Sequence, residues 1–269
     1  MLRPQHTSST VSVILAHRTY TMVQNKVKIR IQNNMKIEIW SDVMCPFCYI
    51  GKRNFENALE QFLDKNKLQV VWKSFQLDPS IPEVQKDNYT DYLVRTKGMP
   101  KTQVDGMLDN VTQNAKYVGL DYDFDKAVMV NSLKAHRVTQ FAKTKGLGEE
   151  AEERFFRAFF TEGENIADED TLIKIGNEIG LTKENVKMAI TNDKYLEMVH
   201  QDIQEARTIG VQGVPFFVFD RKYAVSGAQP PQAFLQTLNR SFTEWREANP
   251  EIKIEVSKGQ SCSIDGVCD

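Results

Sequence analysis

Apolar positions divide the chain into three parts. Lys36 to Trp40, rich in Ile and Trp, reads as a strand. After Cys48 the spacing changes to that of a helix, and Phe55, Leu59, Phe62 and Leu63 form one stripe of a segment that runs to about Lys65. Leu68 to Leu77 reads as a second strand, closed by the turn residues Asp78 to Pro82. A strand, helix, strand order of this kind predicts a right-handed crossover and a parallel pair. Helical spacing then takes over, with segments predicted at Tyr89–Thr96, Lys101–Val118, Asp125–Lys145, Glu149–Thr161, Thr171–Ile179 and Lys183–Ile209. Asp168 to Asp170 and Thr182 read as helix starts. Strand character returns at Val214 to Phe219 and again at Tyr223 to Ser226, a hairpin ended by Gly227. Pro230 and Pro231 open a last helix with Phe234, Leu235, Leu238, Phe242 and Trp245 on one face. The pattern predicts an α/β unit, residues 35–80 and 210–248, with an all-helical insertion at 81–209 and a tail at 249–269.

Composition changes this picture little. The chain has 269 residues, 41% hydrophobic and 26% charged, with a formal net charge of -2. No strong field attracts nucleic acid or an anionic membrane, and no apolar run is long enough to span a bilayer. Four cysteines are too few to staple a chain of this length. Residues 1–34 contain Arg3, Arg18, Lys26, Lys28 and Arg30 and no Asp or Glu. They read as a disordered extension before a folded chain that works in the cytoplasm, and organellar import is the alternative.

The chemistry concentrates in Cys45-Pro46-Phe47-Cys48, where a strand gives way to a helix. A thiol at a helix N-terminus meets unpaired N–H groups and the positive end of the macrodipole, which favour the thiolate. Cys48, one turn on, is placed to resolve a mixed disulfide at Cys45. Pro46 suits the first helical turn, where an N–H has no intrahelical partner. Two other readings stand beside redox exchange. One is a zinc site of four thiolates, with Cys262 and Cys268 joining Cys45 and Cys48; the other is inert buried thiols.

The C-P-F-C motif, the helical insertion and the run Gly213-Val-Pro-Phe-Phe-Val-Phe219 together resemble the DsbA-like branch of the thioredoxin fold. Within that branch the chain is similar to the FrnE-type group, in particular at Asn131 to Arg137 and at Phe159 to Ile166. The resemblance implies a thioredoxin fold and disulfide oxidoreductase activity on a protein or small thiol partner, with no cofactor. It implies a cis Val214–Pro215 bond facing the cysteines, with Val214, Pro46 and Phe47 contacting substrate. Glu38 resembles the buried acid that moves the proton of the inner cysteine, although one extra residue separates it from the motif. His136 is a second candidate for proton transfer. Phe47 stands where the strongly oxidising relatives carry histidine, which implies an intermediate potential. Cys262 and Cys268 resemble the second cysteine pair of some FrnE-type proteins and are candidates for an auxiliary redox pair. A glutathione-dependent isomerase or transferase of the same fold is the alternative activity; both cysteines being present favours redox chemistry.

Overall fold

The β1 strand, Met35–Ser41, is an interior strand of a four-stranded sheet. In the computed structural model, which describes residues 34–83 and 87–251, it is buried along nearly its whole length. β2, Leu68–Ser74, runs parallel to it, from Met35 opposite Leu68 to Ser41 opposite Ser74. The connection carries α1, Pro46–Glu60, as the strand, helix, strand order requires. On the other side β3, Phe216–Phe219, is antiparallel to β1, and β4, Tyr223–Ser226, completes the hairpin. The sheet order is β2-β1-β3-β4.

The pleat of β1 sends its side chains to two faces. Ile37 and Ile39 pack with Phe55 of α1, Phe217 and Phe219 of β3, and Phe234 and Leu238 of α9, Pro231–Ala248. Trp40 points the other way, to Ala206, Val211 and Val218, and its indole N–H donates to the Asp202 carbonyl at 2.8 Å. Asp202 belongs to α8, Asp193–Thr208. Its carboxylate accepts from Lys73 Nζ at 2.8 Å, Ser74 N–H at 3.0 Å and Gln140 Nε2 at 2.6 Å, which ties β2 to the helices on that face.

Between β2 and β3 come α2, Tyr89–Lys97; α3, Lys101–Tyr117; α4, Leu133–Lys143; α5, Gly148–Phe160; α6, Glu169–Glu178; α7, Lys183–Thr191; and α8. Asp168 and Thr182 cap α6 and α7 as their positions predict, accepting from Thr171 N–H and Asn185 N–H. Two helices differ from the sequence reading. The segment predicted as Asp125–Lys145 is helical only from Leu133. Before it the chain is pinned by long-range bonds, Asp123 N–H to Phe160 O at 2.7 Å and a bridge between Asn88 and Val128, and these outweigh local helical spacing. The segment predicted as Lys183–Ile209 breaks at Asn192, whose backbone is extended and whose side chain accepts from Lys194 N–H to start α8. The β3 strand begins at Phe216, leaving Val214 and Pro215 in the loop before it. Residues 1–33, the tail beyond 251 and with it Cys262 and Cys268 lie outside the described residues.

Candidate functional site

Where β1 ends, Asp42 organises the turn into α1. Its carbonyl accepts from Cys45 N–H at 2.9 Å. Its carboxylate, fully buried, accepts from Met44 N–H at 3.3 Å and from Leu77 N–H at 2.8 Å. Cys45 follows as the N-cap of α1, with extended backbone, and Pro46 occupies the first turn. Cys48 N–H donates to Cys45 O at 3.0 Å. Both cysteines are free thiols and buried, whereas Phe47 between them is 45% exposed.

The loop before β3 closes over the pair. The Val214–Pro215 peptide is cis, as the resemblance implies, and the Cys45 thiol donates to the Val214 carbonyl at 3.5 Å. Pro215 presses on α1 at Gly51, where a Cβ would come within 2.9 Å of Pro215 Cγ, so only glycine allows this approach. Behind Pro215 the chain is held by Gly227 N–H, which donates to the Pro215 carbonyl at 2.8 Å.

The inner cysteine sits in a different environment. Burial pushes the Cys48 thiol up, and the neighbouring Cys45 adds to this through a hydrogen bond and its charge. The Asp42 backbone and the Ser41 side chain, beside the same sulfur, act in the opposite direction.

The two proton-transfer candidates lie in different places. His136, on α4, is fully buried with Nε2 3.4 Å from Asp42 Oδ1. Burial pulls its imidazole down, but Asp42, and then Glu152 and Asp202, more than offset this and raise it overall. Glu38 is buried too, but it shares the Trp40 face of β1. There its carboxylate is paired with Arg221, with Lys36 at 3.9 Å and Lys73 at 4.0 Å. Ser41, of opposite parity on the strand, is the β1 residue beside Cys48. The structure therefore brings His136 to the turn that holds the cysteines and commits Glu38 to a cation on the other face.

Asp42, Tyr122 and Glu152 join the site without having been singled out from the sequence, and Tyr89 borders it. Tyr89 Oη donates to the Met44 carbonyl at 3.3 Å, and Tyr122 Oη donates to the Pro46 carbonyl at 2.7 Å. Two cavities adjoin the cysteine turn. One, of about 340 Å³, is lined by Met44, Leu77, Tyr89, Tyr92 and Met129, and the other, of about 310 Å³, by Phe47, Ile50, Tyr117 and Pro230.

Glu152, on α5, is almost fully buried, and its Oε2 has no hydrogen-bond partner among the described residues. Burial pushes its carboxyl from the ordinary 4.5 up to about 7; His136 opposes this, Glu149 adds to it, and Lys143 and Lys52 oppose it. Such a group favours the folded chain fully below pH 4.5, and that contribution is lost as pH rises through 7. His136, also raised, tilts stability the same way. Glu152→Gln removes one of the two, so its stability relative to the parent chain should rise by roughly 1–3 kcal/mol between about pH 5 and pH 8. Urea midpoints at the two pH values measure this; an unchanged difference would mean that Glu152 ionises as in the unfolded chain.

A family model of the DSBA-like thioredoxin domain matches residues 36–239. The uncharacterized protein YwbO of Bacillus subtilis is 30% identical over 187 residues, 68% of this chain and 85% of its own. Among solved structures, a probable DsbA oxidoreductase from Streptomyces coelicolor aligns with a TM-score of 0.75 at 32% identity, covering 88% of this chain and 99% of its own. The cytosolic disulfide reductase DsbM from Pseudomonas aeruginosa, in a structure with GSH, aligns with a TM-score of 0.56 at 18% identity, over 77% of this chain and 99% of its own, a likeness of fold. Among the described residues no helix is long and apolar enough to cross a membrane.

Proposed function

The chain belongs to the DSBA-like thioredoxin domain family, and on that premise we propose that it is a thiol–disulfide oxidoreductase working through Cys45 and Cys48. The observation that carries the reading is the placing of the two thiols. Cys45 caps α1 with its sulfur turned to the Val214 carbonyl, and Cys48 lies one turn deeper.

In the reducing direction the Cys45 thiolate attacks one sulfur of a substrate disulfide. A Cys45–substrate disulfide forms, and the other substrate sulfur leaves as a thiolate that takes up a proton. Cys48 then loses its proton and attacks Cys45 Sγ. The Cys45–substrate bond breaks, the second substrate thiol departs, and Cys45 and Cys48 are left as a disulfide. Two electrons have passed from the dithiol to the substrate. The oxidising direction is the same sequence reversed.

Val214 offers its carbonyl to an extended substrate in the manner of strand addition. Pro215 brings no N–H to compete for the thiolate, and Pro46 and Phe47 form the rim that substrate meets. His136, reached through Asp42, is the group to exchange the Cys48 proton; Glu38, held by Arg221, is the less suited of the two candidates. The segments Asn131 to Arg137 and Phe159 to Ile166 support the finer reading of a FrnE-type enzyme, and the few cysteines suit work in the cytoplasm.

The test is turnover of a generic protein disulfide in the presence of a small dithiol, with the Cys45–Cys48 potential titrated against glutathione. Catalysis is expected, with a potential between about -270 and -120 mV, the span from thioredoxin to DsbA. A protein that binds such substrates and reduces none would overturn the proposal.

A further inference from the structure

Tyr122 belongs to no helix or strand, yet it is firmly held. The main chain on both sides is tied to the end of α5. Asp123 N–H donates to Phe160 O at 2.7 Å, and Thr161 Oγ1 donates to Asp121 O at 2.7 Å. Its ring stacks on Phe160 at 4.6 Å and 24° and lies 6.1 Å from that of Tyr49. The buried hydroxyl donates to the Pro46 carbonyl at 2.7 Å. Burial, and then the nearby Cys45, push its own ionisation far up, so it remains a donor wherever the protein works.

The Pro46 carbonyl is one half of a peptide unit, and the other half is the Phe47 N–H. Three positions at the start of α1 are within range of the N-cap side chain, and two cannot serve it. Pro46 has no N–H, and Cys48 N–H is taken by Cys45 O at 3.0 Å. Phe47, at the second helical position, has no intrahelical partner for its N–H, and in the thiol form the Cys45 side chain accepts no capping hydrogen bond, so this N–H stays open to the sulfur. As a thiol, Cys45 donates to the Val214 carbonyl. As a thiolate it has no proton to donate there, and two acceptors would face each other. The sulfur then draws on the donors of its own turn, the Cys48 thiol beside it and the Phe47 N–H. A hydrogen bond to the carbonyl end of an amide draws electron density from the N–H end and makes it a stronger donor.

We propose that Tyr122 is a positioning residue for disulfide exchange: by donating to the Pro46 carbonyl, it orients and polarises the Pro46–Phe47 peptide so that its N–H stabilises the Cys45 thiolate. The inference rests on the reading of Cys45 as the exchanging thiol. Tyr89 supplies a control in the same neighbourhood. Its hydroxyl donates to the Met44 carbonyl, but the N–H of that peptide unit is that of Cys45 and is already donated to Asp42 O at 2.9 Å.

The experiment follows alkylation of Cys45 in the full chain by iodoacetamide, resolved from the other cysteines by mass spectrometry of its peptide, at about pH 7 and pH 10. Tyr122→Phe should slow alkylation at pH 7 about two- to threefold, with the rates converging at pH 10, where the thiolate forms in either chain. Tyr89→Phe should leave the ratio of the two rates at the parent value. An unchanged ratio in Tyr122→Phe overturns the proposal. So does an equal change in both variants, since general loosening of the turn would then account for it. The measurement needs no substrate, so a chain that reduced no protein disulfide would fail the previous section's test while still reporting on Tyr122.

Discussion

Cys45→Ser should abolish reduction of a protein disulfide, a loss of at least about 10³-fold, because a serine hydroxyl does not ionise in the working range and cannot take the place of a thiolate as nucleophile. Cys48→Ser should behave differently. The first attack remains, the second has no nucleophile, and the mixed disulfide at Cys45 accumulates as a heavier species on a non-reducing gel. The structure gives the order of these steps a physical basis. Cys48 is kept protonated by burial and by a hydrogen bond and charge from Cys45. Once Cys45 is consumed in a mixed disulfide, the two contributions from Cys45 are gone while the opposing Asp42 backbone and Ser41 remain. The inner thiol therefore ionises more readily at the stage when it has to attack. Full activity in Cys45→Ser, or no trapped species in Cys48→Ser, would reverse the assignment.

A large loss of stability is expected one turn further along α1. Lys52 is 2% exposed, and its ammonium meets three carboxylates: Glu56, Glu149 at 2.7 Å and Glu153 at 2.9 Å. Burial alone would pull its ionisation down, but Glu149, Glu153 and Glu56 more than offset that and hold the charge. Arg53 shares Glu153 and Glu56. Burial would push the Glu153 carboxyl up, but Arg53 and Lys52 outweigh it and hold the group down at about 2. Glu149 and Glu153 belong to α5, so Lys52 fastens the cysteine helix to the inserted helices. Lys52→Met keeps the apolar stem and removes the cation, leaving the carboxylates to repel one another. About 3 kcal/mol should be lost at pH 7, the lower end for a broken buried pair because Glu149 is half exposed. Lys52→Arg, which keeps the cation, should recover much of it. Stabilities less than about 1 kcal/mol apart in urea at pH 7, the ceiling for an exposed pair, would show that the cation is not needed.

What could be read from the sequence was local. A strand, C-P-F-C and a helix follow one another directly, and the N-cap geometry at Cys45 is a property of that order. The parallel pairing of β1 and β2 followed from the crossover between them. The stretch 125–132, predicted as helix, shows the converse. Its residues have helical spacing, but Tyr122 and Phe124 are buried against Phe160, and such distant packing leaves no trace in a local period. Asn192 was legible in principle as a helix starter in mid-segment, and only the continuous apolar stripe hid it. Asp42 gave a weak signal, an Asp at a strand end before a motif, whereas the bond from Tyr122 to Pro46 spans 76 residues and gave none. Glu38 shows how much one position along a strand decides. A single extra residue before the motif moves an acid to the opposite face of a strand, away from the sulfur it was expected to serve.

The apolar cluster that contains Cys45 and Cys48 is built mostly from the inserted helices, with Tyr89, Tyr122, Phe156 and Phe160 among its members, while the sheet and α9 keep a separate core. Reactivity and scaffold have therefore been parcelled out unequally along the gene. A chimera that kept the sheet, α1 and the Val214–Pro215 loop but borrowed its helices from a relative would inherit the motif without its surroundings. Recombination between such proteins should succeed where the crossover carries the helices and the cysteine turn together, and shuffled libraries sorted for disulfide exchange would record that linkage as co-inherited blocks.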